Sequence, residues 1–127
     1  MTGELENVAN ELMATLDSRD ADRVVEWIGA DAQSVDEISR RWLRGKSELD
    51  PHLRQMMSAV TGVRSELRDV QEHVWGDVGV VTCWLEQDYT IEGNAQHISA
   101  PTTIVLRREG GEWKLALFHS VPLPEHR

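Results

Sequence analysis

The chain has 127 residues, enough for one domain and too few for two independent cores. Its 13 basic and 22 acidic residues give a net charge of -9, which disfavours nonspecific nucleic-acid binding, and its 40% apolar content separates it from disordered chains. No apolar run approaches the roughly 18 residues of a membrane-crossing helix, and MTGELENVANEL lacks the basic-then-apolar order of a secretion signal. The expectation is a cytoplasmic protein that contacts neither nucleic acid nor membrane. Cys83 is the single cysteine, so no internal disulfide forms. Within VVTCWL it reads as a small buried hydrophobe rather than a reactive thiol.

Leu5, Val8, Ala9, Leu12, Met13 and Leu16 draw one stripe on a first helix. Asp20 or Asp22 caps a second, short helix carrying Val24, Val25, Trp27 and Ile28, stopped by Gly29. Two short strands are expected near 32–37 and 39–44, ended by Gly45. A third helix follows from Ser47 to about Ala59, with Leu49, Leu53, Met56 and Met57 at helical spacing and Pro51 in its first turn. The period then changes to two. Strands are expected at 63–75, 78–91, 95–108 and 112–121, with glycine turns at Gly76, Gly93 and Gly110-Gly111. Pro101 cannot donate to a ladder and marks a bulge or an edge. Val121-Pro122-Leu123-Pro124 ends the last strand. Strands this long twist and bend rather than lie flat. Three helices on a strongly curved, mainly antiparallel sheet make an α+β cone with an internal pocket.

Several segments in this order resemble the nuclear transport factor 2-like superfamily, in its SnoaL-like and ketosteroid isomerase-like branch. They are Val24-Val25-Glu26-Trp27-Ile28, Leu43-Arg44-Gly45-Lys46-Ser47-Glu48-Leu49, Gly79-Val80-Val81-Thr82, Thr103-Ile104-Val105-Leu106-Arg107 and Trp113 to Ser120. The resemblance spans nearly the whole chain and implies a single cystatin-like cone domain over 1–127. It implies no one reaction, because the superfamily holds isomerases, cyclases, dehydratases, hydrolases and non-catalytic binding modules. Against the ketosteroid isomerase pattern, Asp36 falls at the place of the aspartate base, with its neighbouring apolar residue shifted by one. The positions of the two oxyanion donors fall on Leu12 or Met13 and on Ile104, all apolar. A steroid-isomerase mechanism is therefore disfavoured, since such donors supply much of the rate.

On the last strand, Trp113, Leu115, Leu117, His119 and Val121 share one face, and Phe118 lies on the other. With the Trp113 face inward, His119 stands at the cone wall as an acid, base or hydrogen-bond donor. A histidine held by backbone or carboxylate is the bland alternative. In strand 78–91, one face carries Thr82, Trp84, Glu86, Asp88 and Thr90, and the other carries Val81, Cys83, Leu85, Gln87, Tyr89 and Ile91. The alternation leaves open which set faces the pocket. Trp84, Glu86 and Asp88 are candidate ligand contacts in the first case, or a solvated acidic face. His97 follows the Gly93-Asn94 turn and reaches the rim, or stays an exposed edge residue. Trp42 and Trp84 are candidate ligand walls, with core filling as the default. No metal-ligand spacing, GxSxG, GxGxxG or P-loop is present, so neither metal nor cofactor is expected.

The functional expectation is a protein that binds a small apolar or aromatic molecule. It would pair through the outer sheet face as a homodimer. Cofactor-independent isomerisation, dehydration or cyclisation by His119 and Asp36 is one version. A non-catalytic ligand-binding or protein-association module is the other.

Overall fold

The computed structural model describes residues 3–123. In chain order the elements are α1 (Glu4–Ser18), α2 (Ala21–Trp27), β1 (Ile28–Asp36), β2 (Leu43–Arg44), α3 (Lys46–Ala59), β3 (Val60–Trp75), β4 (Val78–Ile91), β5 (Asn94–Glu109) and β6 (Glu112–Ser120). The six strands form one curved mixed sheet in the order β2-β1-β6-β5-β4-β3. All pairs are antiparallel except β1 with β6.

The helices start and stop for local reasons. Asp20 caps α2 by accepting from the Arg23 N–H at 3.3 Å. Arg19 closes α1 in the left-handed region, at φ 61°, with its N–H on the Leu16 carbonyl. α2 ends at Trp27 rather than at Gly29, and β1 begins at once with Ile28, so the first strand is longer than the sequence suggests. The segment expected as a strand at 39–44 keeps strand pairing only at Leu43–Arg44. Pro51 lies inside α3, past its first turn, because the helix begins at Lys46.

The helices cover one face of the sheet. Leu5, Ala9, Leu12 and Met13 of α1 pack on Val81, Leu85, Ile104, Leu106 and Leu115. A second cluster joins Ile28, Ala32, Leu43 and Leu49. At Gly79 a Cβ would sit 2.6 Å from Leu5 Cδ1. Only a glycine lets α1 lie this near β4.

Bulges bend the sheet. Gly62, at φ 62°, marks one in β3, and Asp69, at φ 55°, marks the next. A third lies at Ala116, where Val105 faces Leu117 and Leu106 faces Leu115. That extra residue corrects the face assignment of the last strand. Leu115 faces the helices, but beyond Ala116 it is Phe118 and Ser120 that turn inward, and His119 turns outward and is exposed. Pro101 sits one residue beyond the last β5–β6 pair, Thr102 with Ser120, at a local edge rather than a bulge. β6 ends at Ser120; Pro124 lies outside the described residues.

Candidate functional site

Between the helices and the curved sheet lies a partly open cavity of about 120 Å³. Apolar side chains dominate its wall: Leu12 and Leu16 from α1, Ile28, Leu49 and Met56 from the α2–α3 side, and Leu85, Leu115 and Phe118 from the sheet. A space of this size suits a single small ring.

The polar groups reach it from β1, β4 and β6. Ser34 and Asp36 alternate on one face of β1, and parallel pairing sets them opposite Phe118 and Ser120. A turn pins Asp36 where the strand stops. Its Oδ1 accepts from the Ser39 N–H at 2.7 Å, and its own N–H donates to Ser39 Oγ at 3.1 Å. Glu37 follows, and its Oε2 accepts from the Tyr89 hydroxyl at 3.3 Å. Tyr89 is 6% exposed. Burial first, then the Glu37 charge, pushes its phenol up to about 12, so it stays a neutral donor.

Deeper in the wall, the Thr102 hydroxyl donates to the Ala100 carbonyl at 3.1 Å. The 2.8 Å contact between Thr102 and Ser120 is therefore a donation from Ser120. Gln87 Nε2 donates to Ser65 Oγ at 3.0 Å, and Ser65 in turn donates to Asp17. Arg19 also borders the cavity, with its Nε on the Met57 carbonyl at 3.2 Å. Cys83 is buried in β4, and burial pushes its thiol up to about 11, which makes it a poor nucleophile.

Of the residues singled out from the sequence, Asp36 alone lines this cavity. In β4 the odd-numbered set faces the helices, because Gly79, Val81 and Leu85 meet α1. Trp84, Glu86 and Asp88 thus lie on the outer face. His97 joins them there: its Nδ1 is 2.7 Å from Asp88 Oδ1 and its Nε2 is 3.9 Å from Glu86 Oε1. Arg68 sits 5.6 Å from the Trp84 ring centroid. The structure brings these four candidates together, but outside the cone. Trp42 and His119 also meet on the outer face, with ring centroids 5.9 Å apart. They border a shallow groove or open surface rather than the cavity.

The sequence carries no signal for Ser34, Glu37 or Arg19; Phe118 lies on the opposite side from the one expected, and the structure decides the face of Gln87 and Tyr89. For Tyr89 a signal was available: its strand face, with Val81, Cys83 and Leu85, is the more apolar of the two. What the arrangement can do is limited and clear. It can enclose a small apolar body, accept hydrogen bonds through two carboxylates and a serine, and exchange a proton at Asp36.

A family model described as a SnoaL-like domain matches residues 5–124, and the chain belongs to that family. It is part of the nuclear transport factor 2-like superfamily, and the architecture is the cystatin-like cone. Among solved structures, the chain is similar to a candidate dehydratase of the NTF2-like family from Streptomyces avermitilis, at TM-score 0.83 and 19% identity, covering 94% of each chain. It is similar to a candidate calcium/calmodulin-dependent protein kinase II association domain from Xanthomonas campestris, at TM-score 0.83 and 17% identity, covering 98% of this chain and 91% of the other. A ketosteroid isomerase-like protein from Erwinia carotovora atroseptica matches at TM-score 0.77 and 18% identity, covering 94% of each. These likenesses concern the fold. No curated protein matches the chain.

Proposed function

We infer that the chain binds a small apolar or aromatic molecule in the cone cavity, and that Asp36 takes or returns a proton on it without a cofactor. The observation that carries this reading is the Asp36 carboxylate, held by Ser39 at the wall of a mainly apolar cavity. A carboxylate placed so is suited to isomerisation, dehydration or cyclisation, which need proton transfer beside an apolar skeleton. The similarity to a candidate dehydratase and a ketosteroid isomerase-like protein agrees with that class of chemistry.

Native mass spectrometry of the purified chain, with amide NMR during titration with toluene, tests the binding. The expected result is a retained molecule, or saturable shifts at Ser34, Phe118 and Tyr89. Shifts confined to the outer face, with nothing retained, overturn it.

A second reading is supported by the outer face. Trp42 is 39% exposed there, and Trp84 is only half-buried. Aromatic rings left on a sheet face suit pairing with a second copy, and one similar structure is a candidate association domain. In this reading the chain is a homodimer through that face. Sedimentation equilibrium tests it, and a strict monomer at high concentration rejects it.

A further inference from the structure

We propose that the occupant of the cone cavity carries a protonated amine, making it an apolar or aromatic ammonium compound. The inference rests on the cavity being a ligand site, and narrows what that site accepts.

Tyr89 lines the cavity, but its one hydroxyl hydrogen is given to Glu37. Ser120 is 1% exposed, and its hydrogen is given to Thr102, because the Thr102 hydrogen already goes to the Ala100 carbonyl. Each therefore turns only oxygen lone pairs to a ligand. Asp36 has one carboxylate oxygen on the Ser39 N–H, and Glu37 has one on Tyr89. The second oxygen of each has no hydrogen-bond partner among the described residues. Neither residue is in an ion pair there.

This end of the cavity thus holds two negative charges and a surplus of acceptors. Ser34 adds a hydroxyl that a ligand in the cavity can reach. It is 9% exposed, faces the cavity opposite Phe118, and its hydroxyl has no partner among the described residues.

Among the described residues neither neighbouring guanidinium, Arg19 or Arg40, forms an ion pair with Asp36 or Glu37, although the Arg40 charge acts on Tyr89. Arg40 Nε donates to the Glu37 backbone carbonyl, and Arg19 donates to that of Met57. Gln87 keeps one spare N–H, which is neutral. An ammonium group brings three donors and a positive charge to the unpaired oxygens, and charge-assisted hydrogen bonds are the strong ones. The net charge of -9 attracts such a ligand from solution. The apolar walls, with Phe118 among them, take its hydrocarbon part.

Three probes share one ring and differ in the head group: benzylamine, benzyl alcohol and benzoate. Calorimetric titration of the full chain is expected to show benzylamine binding at least about tenfold more tightly than either of the others. Amide shifts in the same chain are expected to centre on Ser34, Asp36, Glu37 and Tyr89. Asp36→Asn and Glu37→Gln, each checked for folding by circular dichroism, are expected to bring benzylamine down toward benzyl alcohol.

Benzyl alcohol binding as tightly as benzylamine overturns the amine requirement and leaves the cavity reading standing. Benzoate binding best also overturns it, and points to Arg19. An amine preference that survives both substitutions, or shifts confined to the outer face, overturns it as a general charge effect. No binding of any probe overturns both readings.

Discussion

Tyr89 and Glu37 are joined through the phenol hydrogen, at 3.3 Å, and this single bond ties β4 to the segment that follows β1 at the cavity wall. The phenol is pushed up to about 12 by burial and by the Glu37 charge. Folding therefore favours the protonated phenol.

Stability is expected to fall at alkaline pH. The unfolded phenol ionises near 10, and the folded one near about 12. The contribution is whole below the lower value and is lost as pH rises through the higher one. Cys83 acts in the same direction, from 9.0 toward about 11. Denaturant midpoints of the wild-type chain between pH 8 and 12 check this, and Tyr89→Phe combined with Cys83→Ala is expected to flatten the decline.

Asp36→Asn is expected to spare the fold, since an amide oxygen still accepts from the Ser39 N–H. Turnover of any substrate found is expected to drop by about 10²-fold or more, the usual scale for a lost acid or base. His119→Ala is expected to leave turnover within about twofold, because its ring lies on the outer face against Trp42. Steady-state kinetics on the two variants, side by side, decide the matter. Equal losses would contradict the assignment.

Gly79→Ala is expected to destabilise by about 1–3 kcal/mol, the ordinary range for overpacking. The new methyl meets the Leu5 side chain where α1 packs against β4. The cost is expected to shrink in a Leu5→Ala background, where the obstructing atoms are gone. A double-mutant cycle by urea denaturation measures the coupling.

Trp84→Glu places a charge in the middle of the outer face, next to Glu86 and Asp88 on the same side of β4. Monomer stability is expected to change little, while a dimer formed through this face dissociates. Sedimentation of the variant at the wild type's concentration reads this. An undisturbed dimer would place the interface elsewhere.

Much of the cone was readable in advance. The stripe Leu5, Ala9, Leu12 and Met13 announces α1, and the change to period two near Val63 announces the long strands. Asp36 was found through its place in the family pattern, and the cavity receives it. The last strand shows why its faces were not readable. A strand's side-chain direction depends on counting every residue, and the bulge at Ala116 adds one without a glycine or proline to mark it. His119 and Phe118 exchange sides for that reason alone. In β4 the alternation offered two plausible faces, and the choice is made by contact with Leu5, some seventy-five residues away in the chain. Glu37 and Ser34 carry no local signature, since Ser34 acquires its role from β1 lying beside β6 and Glu37 from its bond with Tyr89 of β4.

That parallel pairing also orders events during synthesis. β1 is made early, but its neighbour β6 is the last strand of the described chain to leave the ribosome. Until then β1 and β5 each present an unpaired edge, and the apolar lining lacks Leu115 and Phe118. Long-range closure of this kind is slow relative to local helix formation. The nascent cone thus passes through a stage with an open greasy trough, the stage at which a chaperone has the most surface to hold.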